Sequence, residues 1–289
     1  IETIPVGPLG IISLKGCSKL GSTVEDYIVE WRNGRNNEHT STLAFSGYQR
    51  ESYHVDAKFP RFGSGEAKCS LTSTVRGLDL YILVDVCNYS ITYNMNGYVN
   101  HMSPDDHYQD LKRVIQACAG KAHRITVIMP FLYEGRQHKR SGRESLDCAV
   151  ALQELIHMGV DSIITFDAHD PRVQNAIPLN NFDTIMPTYQ FIKGILKNVP
   201  DIKMNADHLM IISPDEGAMN RAVYFAGVLG VDVGMFYKRR DYATVINGKN
   251  PIVAHEYLGR KLDGRDVIIV DDMISSGESM LDVANELKK

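Results

Sequence analysis

The sequence lacks the features that would direct it to a membrane or to nucleic acid. Its 31 Lys and Arg stand against 35 Asp and Glu, giving a formal net charge of −4. No global basic field is therefore available, and an anionic ligand has to be bound by a local group of cations and backbone N–H groups. No apolar run is long enough to span a bilayer, and no signal peptide opens the chain. We expect no nucleic-acid partner and no membrane partner.

Cysteine is also scarce. The chain has five cysteines, an odd number, and they are widely spaced without a Cys-x-x-Cys pair. This pattern indicates reduced thiols rather than a disulfide framework or a zinc site, and it predicts a cytoplasmic location. The Walker A pattern G-x-x-x-x-G-K-[ST] is absent too, which argues against a P-loop kinase.

What the chain does contain is a regular alternation of short apolar segments and amphipathic segments. Near-continuous apolar strands alternating with helices predict an α/β fold whose sheets are mostly parallel and flanked by helices. The pattern runs twice with a joint near Pro187, so we predict two domains, residues 1–186 and 187–289. Residues 33–54 are polar and interrupt the alternation, and they are interpreted as an insertion or a long hairpin.

The segment after the last predicted strand, Val267–Val270, carries the clearest chemical signal. Two carboxylates, Asp271 and Asp272, emerge at the strand tip, and a Ser/Gly turn then leads into a helix. The unpaired N–H groups and the macrodipole at a helix start attract an anion, while the carboxylates suit sugar hydroxyls or a hydrated magnesium ion. The alternative is an ordinary strand-to-helix turn with a serine cap. The remaining candidates in this turn are Ser275, Ser276, Gly277, Glu278 and Ser279.

Polar side chains also follow other predicted strands of the first domain. Arg136 and Gln137 follow one strand, and His169 follows the next. An arginine can bind phosphates with two parallel hydrogen bonds, although a surface salt bridge explains it as well. A neutral imidazole at His169 can contact a metal or a phosphate oxygen, or it can be a hydrogen-bonded loop histidine.

In the second domain, Asp215 follows one predicted strand, and Lys238 and Arg240 follow another. Asp215 can cap the helix predicted over Glu216–Leu229. The two cations can grip a transferring phosphate group, or they can form a solvated basic turn.

Several of these segments resemble those of the ribose-phosphate diphosphokinase family, which has the type I phosphoribosyltransferase fold. The turn at Asp271 resembles the family's phosphoribosyl diphosphate loop. The other matching segments are Phe62–Glu66 with Val75–Ile82, Tyr133–Lys139, Phe166–His169, Ser213–Gly217 and Tyr237–Arg240. The chain departs from the family pattern at His138, where the family often has aspartate, and in the turn at Ser275 and Glu278.

The resemblance implies two phosphoribosyltransferase-like domains and a reaction that transfers the diphosphate of ATP to ribose 5-phosphate with Mg²⁺. It implies that Phe62, Ser64, Glu66, Arg136 and Gln137 bind ATP. It implies that Lys238, Arg240 and His169 are catalytic, and that His169 and Asp215 contact the metal. For ribose 5-phosphate it implies Asp215, Asp271, Asp272, Ser275, Ser276, Gly277, Glu278 and Ser279.

The resemblance also implies a homo-oligomer, either a dimer or a hexamer, in which the Phe62 loop enters a neighbouring ATP site. It further leads us to expect that the second domain continues past Lys289. Two alternatives stay open. One is a phosphoribosyltransferase that consumes the product, and the other is a non-catalytic regulatory homologue that binds nucleotides.

Overall fold

The computed structural model describes residues 5–38, 49–240 and 252–288, and it describes side chains for residues 5–34, 49–237 and 256–288. The chain divides into two compact units, Ile1–Met186 and Pro187–Lys289. Each unit contains a sheet with helices against it, so the predicted α/β architecture is confirmed.

The first unit is built on a five-stranded sheet in the order β1-β4-β7-β8-β9, in which every neighbouring pair is parallel. Its strands are β1 (Leu9–Ser13), β4 (Asp79–Leu83), β7 (Arg124–Met129), β8 (Ser162–Phe166) and β9 (Asn181–Ile185). The helices are α1 (Ser18–Glu38), α2 (Pro104–Cys118) and α3 (Asp147–His157). Two small antiparallel pairs complete the unit: β2 (Ala57–Lys58) with β3 (Ser70–Leu71), and β5 (Thr92–Met95) with β6 (Tyr98–His101).

Helices cover both faces of this sheet because its strands are apolar on both sides. Leu80 and Ile82 are fully buried in one core together with Leu111 of α2 and Leu152 of α3. Ile11 belongs to a second core, against which Ile28 of α1 packs. Burial on both faces explains why the strands read as continuous apolar runs rather than as alternating ones.

The second unit has a four-stranded sheet in the order β12-β11-β10-β13. Strands β10 (Leu209–Ser213), β11 (Asp232–Arg240) and β13 (Asp266–Ile269) are parallel, and β12 (Ile252–Leu258) runs antiparallel to β11. The helices are α4 (Thr188–Asn198), α5 (Met219–Leu229) and α6 (Glu278–Leu287). Ile211 packs with Phe225 of α5 on one face, and Ile212 packs with Val283 of α6 on the other.

Three sequence-based boundaries are wrong in ways that affect the site. Residues 33–38 continue α1 instead of opening an insertion, and residues 39–48 lie outside the described part. Strand β11 does not end at Tyr237 but runs to Arg240, paired with β12. Helix α5 begins at Met219 rather than at the predicted Glu216, and α6 begins at Glu278 rather than at the predicted Ser276. The turns after β10 and β13 are therefore longer than predicted.

Candidate functional site

The turn after β13 connects the end of that strand to the start of α6. The N–H of Val270 donates to the carbonyl oxygen of Ile212 at 3.0 Å, which carries the sheet pairing to the edge of the turn. Gly277 has φ of +82° and stands directly before α6, where its carbonyl oxygen accepts the N–H of Leu281. A positive φ at this position favours glycine because a side chain would be strained.

The side chains of this turn face solvent. Ser275, Ser276, Glu278 and Ser279 are all exposed. The Glu278 carboxylate therefore lies in water, which weakens its repulsion of an anion held by the turn. The hydroxyls are accessible donors for such an anion.

Behind the turn lies a group of charges with a buried arginine. Arg221, in the first turn of α5, places Nη1 3.6 Å from Oδ1 of Asp272 and 4.0 Å from Oδ1 of Asp271. The Arg221 and Asp272 side chains are 7% and 5% exposed, so the pair is shielded from water. The Asp271 side chain is 22% exposed, and its Oδ1 accepts the N–H of Asp272 at 2.9 Å.

Asp271 is destabilised as an anion in this setting. Burial, helped by the neighbouring carboxylates of Asp272 and Asp215, raises the pKa of Asp271 to about 6. Asp215, Asp271 and Asp272 thus lie near one another at the ends of β10 and β13, with Arg221 beside Asp271 and Asp272. Carboxylate oxygens suit ligands that donate hydrogen bonds or carry positive charge, such as ribose hydroxyls or a hydrated divalent cation.

Asp215 shapes the turn after β10 rather than the helix that follows. Its Oδ1 accepts the N–H of Gly217 at 3.0 Å and that of Ala218 at 3.2 Å. Because α5 begins only at Met219, the interpretation of Asp215 as the cap of a helix starting at Glu216 is wrong. The carboxylate instead fixes the turn that leads to Arg221.

Lys238 and Arg240 lie within β11, and their backbone is paired with that of β12. They were predicted to follow the strand, and that placement is wrong. Their side chains lie outside what the structure describes, so their roles stay predictions.

In the first unit, the loops after β7 and β8 bring two histidines together. The rings of His138 and His169 have centroids 5.2 Å apart. Nε2 of His138 lies 3.4 Å from Oδ2 of Asp170, and both side chains are about nine-tenths buried, at 12% and 10% exposed. Asp170 also caps the short helix Pro171–Ala176 and forms an ion pair with Arg172.

The charge of Asp170 is held firmly. Its hydrogen bonds from Arg172, and more weakly the nearby His138, lower the pKa of Asp170 to about 2 against the effect of burial. Nδ1 of His138 is buried without a hydrogen-bond partner among the described residues. His138 thus occupies a structural position beside His169 that the sequence alone did not assign.

Arg136 and Gln137 lie on a tight turn beside this pair. The N–H of Gln137 donates to the carbonyl oxygen of Glu134 at 2.8 Å, and Glu134 has φ of +53°. Arg136 is exposed and Gln137 is half-buried. The turn is supported by Tyr133, whose hydroxyl donates to Oδ1 of Asp105 at 2.6 Å.

The segment Phe62–Glu66 lies earlier in the chain and forms a turn that is closed by its own hydrogen bonds. The N–H of Phe62 donates to the carbonyl oxygen of Glu66 at 2.8 Å, and the Ser64 hydroxyl donates to Oε2 of Glu66 at 2.9 Å. The Phe62 side chain is 53% exposed. An aromatic ring beside glycines can also be a hydrophobic anchor, but that role would require a buried ring.

No group of three His, Cys, Asp or Glu side chains with metal-binding geometry occurs in the part of the chain that the structure describes. No helix among those residues is long and apolar enough to cross a bilayer. All five cysteines are free thiols.

Sequence reasoning missed Arg221, Asp170 and Tyr133 as parts of these arrangements. Arg221 lies four residues after a segment that was singled out, Ser213–Gly217, and an arginine in the first turn of an apolar helix was a usable signal. The partners of Asp170 and Tyr133 come from other elements, so no local pattern indicates them.

Comparisons with known proteins agree with this architecture. The profile of the N-terminal domain of ribose phosphate pyrophosphokinase matches residues 9–159. The profile of the phosphoribosyl transferase domain matches residues 179–289. The crystal structure of phosphoribosylpyrophosphate synthetase from Mycobacterium smegmatis has a TM-score of 0.70 at 21% identity, covering 97% of this chain and 76% of that one. This likeness shows the fold.

Two curated relatives add sequence similarity over most of the chain. The ribose-phosphate pyrophosphokinase of Ralstonia nicotianae is 30% identical over 235 residues, covering 79% of this chain and 65% of the relative. That of Vibrio cholerae is 30% identical over 241 residues, covering 81% and 67%. The chain therefore spans about two thirds of the length of the relatives it matches. With a first unit matched by the N-terminal-domain profile and a second by the transferase profile, the chain belongs to the ribose-phosphate pyrophosphokinase family.

Proposed function

We propose that this chain transfers the diphosphate of ATP to ribose 5-phosphate, giving 5-phosphoribosyl 1-diphosphate and AMP. The anomeric hydroxyl of the sugar attacks the β-phosphorus of ATP, the bond from that phosphorus to the AMP oxygen breaks, and the hydroxyl proton is lost. The observation that carries the proposal is the anion-binding turn at Gly277 beside Asp271, Asp272 and Arg221, in a chain of this family.

The second unit takes the sugar phosphate in this proposal. The 5-phosphate accepts hydrogen bonds from the backbone N–H groups and hydroxyls of residues 275–279. The carboxylates of Asp271 and Asp272 accept hydrogen bonds from the ribose hydroxyls, and Arg221 keeps both carboxylates in place. Asp215 holds the neighbouring turn.

The first unit takes ATP. Arg136 and Gln137 contact its phosphates, and Phe62, Ser64 and Glu66 of a neighbouring subunit contact the adenine. His169 lies at the ATP site next to His138. Lys238 and Arg240 stabilise the negative charge on the transferring diphosphate, because such reactions depend on positioning and cationic stabilisation more than on covalent chemistry.

Magnesium fits the residues of both proposed sites, with few of its ligands supplied by the protein. The ion binds oxygen ligands, keeps several waters and takes few protein carboxylates alongside substrate phosphates, so a cluster of three protein ligands is not required. The carboxylates of Asp215, Asp271 and Asp272 are suited to it, and the imidazole of His169 suits a water-mediated or phosphate contact better. When bound, Mg²⁺ would neutralise charge on the phosphates of ATP.

A cytoplasmic location and a homo-oligomer, dimeric or hexameric, are part of the proposal. The free cysteines support the location. The exposed Phe62 on a fixed turn supports an arrangement in which that loop serves a neighbouring subunit.

The test is turnover by the purified chain with ATP, ribose 5-phosphate and Mg²⁺, followed by AMP release. The Lys238→Ala variant should lower kcat by about 100-fold or more, because it removes a cation that the proposal assigns to the developing charge. The exposed Lys261 of the same unit offers a control, and Lys261→Ala should leave kcat unchanged.

The same assay separates the alternatives. A regulatory homologue would bind ATP without releasing AMP, and Lys238→Ala would change nothing. A phosphoribosyltransferase would release diphosphate from phosphoribosyl diphosphate and a base. The match over residues 9–159 argues against that second alternative, because the matching profile describes the N-terminal domain of ribose phosphate pyrophosphokinase.

A further inference from the structure

A hairpin that the sequence analysis did not identify lies against the Phe62–Glu66 loop. It consists of β5 and β6, joined by Asn96 and Gly97 with φ of +50° and +84°, the two-residue turn that suits a tight hairpin. Tyr93 and Met95 are half-buried while Thr92 and Asn94 are exposed. Because side chains alternate along a strand, Tyr93 and Met95 share the inward face of the hairpin.

The hairpin touches the loop through backbone and side chain. The N–H of Asn96 donates to the carbonyl oxygen of Gly63 at 2.9 Å. Gly65 has φ of +92°, and a Cβ added to it would lie 2.7 Å from Sδ of Met95. A side chain at Gly65 would be strained by this φ and would displace the end of the Met95 side chain.

Arg61 ties the loop and the hairpin to α2. Its guanidinium lies 4.3 Å from the centre of the Tyr93 ring, and its Nη2 donates to Oδ2 of Asp110 at 3.1 Å. Nη1 lies 3.6 Å from Oδ1 of Asp106 and donates to the carbonyl oxygen of Gly65 at 3.3 Å. The Arg61 side chain is only 10% exposed, so these charges interact in partly desolvated surroundings, where they are stronger than in water.

These contacts support a loop whose first residue, Phe62, has an exposed aromatic ring. The loop is closed by its own hydrogen bonds, yet its Phe62 side chain is 53% exposed. Fixing a binding loop in advance lowers the entropy lost when a ligand docks on it. A rigid ring beside polar groups, Ser64 and Glu66, is suited to stacking on a purine and hydrogen-bonding to its edge.

We propose that Arg61 and Tyr93 are positioning residues, which together with the β5–β6 hairpin set the shape of the Phe62–Glu66 loop and thereby its selectivity for the base of the nucleotide. The inference rests on the proposed function, since it concerns how that site recognises ATP. Neither residue touches the nucleotide in this account; both act through the loop.

The test compares Tyr93→Ala with Tyr93→Phe in the intact chain. Tyr93→Ala removes the ring beneath Arg61, so the KM for ATP should rise by about ten-fold, while the KM for ribose 5-phosphate and kcat stay within about two-fold. The preference for ATP over GTP should fall with it. Tyr93→Phe keeps the ring face and should behave like the wild type. Tyr98→Ala is the matched control, because Tyr98 lies on the same hairpin and is 76% exposed.

A second variant covers the case in which Tyr93→Ala does not fold. Arg61→Lys keeps the positive charge facing Asp106 and Asp110 but loses the flat group that lies on Tyr93. It should raise the KM for ATP in the same direction. Equal KM values for ATP in the wild type, the folded Tyr93→Ala variant and Arg61→Lys would overturn the inference.

Failure of the proposed function has a different signature. If the wild type releases no AMP, equilibrium dialysis with ATP and with GTP replaces the kinetic assay. Weaker ATP binding and lost base preference in Tyr93→Ala would then still support the role of the hairpin. Identical dialysis curves for Tyr93→Ala and the wild type would contradict that role of the hairpin.

Discussion

Nη1 of Arg221, in the first turn of α5, lies 3.6 Å from Oδ1 of Asp272, which follows β13. The residues come from distant parts of the chain and meet because β10, which precedes α5, is the direct neighbour of β13. The ion pair therefore couples the helix start after one strand to the candidate sugar-phosphate turn after another.

Replacing Arg221 should lower the free energy of unfolding. Arg221→Met removes the guanidinium beside the buried Asp272 and beside Asp271, and breaking such a buried pair lowers the free energy of unfolding by about 3 kcal/mol. Urea denaturation at neutral pH measures it. The control is Arg260→Met, which breaks a 2.8 Å pair with Asp232 whose arginine is 72% exposed. That loss should stay below about 1 kcal/mol. Equal losses in the two variants would contradict the assigned role of Arg221.

The pKa of Asp271 makes stability depend on pH. Because its folded-state pKa of about 6 lies above the ordinary value of 3.8, the folded chain favours the protonated form. The contribution of Asp271 is fully present below about pH 3.8 and is lost as the pH rises through about 6. Asp271→Asn should therefore be more stable than the wild type above about pH 6, and the two denaturation curves should converge towards pH 4. A constant difference across this window would show that Asp271 does not titrate as stated.

Two glycines of the second unit should respond in opposite ways to alanine. Gly277 has φ of +82° before α6, so Gly277→Ala should lower stability by about 1 kcal/mol and weaken ribose 5-phosphate binding. Gly227 lies within α5 with no atom within 4 Å of an added Cβ. Gly227→Ala should raise stability by about 0.5–1 kcal/mol. Thermal unfolding and isothermal titration with ribose 5-phosphate measure the two effects, and a stabilising Gly277→Ala would be inconsistent with the turn described.

Tyr133 should support the Arg136 turn through its hydroxyl. Tyr133→Phe removes the 2.6 Å hydrogen bond to Asp105 but keeps the stack on Tyr108, whose ring centre is 4.2 Å away. We expect a loss of about 1 kcal/mol in stability and a higher KM for ATP, with the KM for ribose 5-phosphate unchanged. If both KM values rise together, the hydroxyl acts on the whole fold rather than on this turn.

The sheets and their helices could be predicted because their strands are buried on both faces. Ser162–Phe166 carries an apolar pattern of the length of a strand, and Thr188–Asn198 carries one of the length of a helix. The structure has a strand and a helix at these residues. The polar edge strand β9 and residues 33–38 of α1 lack such a pattern, so they were missed or assigned to an insertion. The β5–β6 hairpin was missed although the Asn96-Gly97 pair is a strong hairpin signal.

The candidate site was only partly visible in the sequence. Asp271 and Asp272 stand out because two carboxylates directly follow a buried strand. Arg221 and Asp170 do not, because their partners are chosen by sheet order and loop packing rather than by spacing. Sequence patterns report which side chains leave the ends of strands, whereas the pairing between those ends depends on tertiary structure.

The most direct test of the account follows the label of [γ-³²P]ATP incubated with the chain, ribose 5-phosphate and Mg²⁺. Transfer of the intact diphosphate predicts that the label appears in phosphoribosyl diphosphate, with one AMP released per labelled product. Label released as inorganic phosphate together with ADP, or label remaining in ATP when a folded preparation binds both substrates, would contradict it.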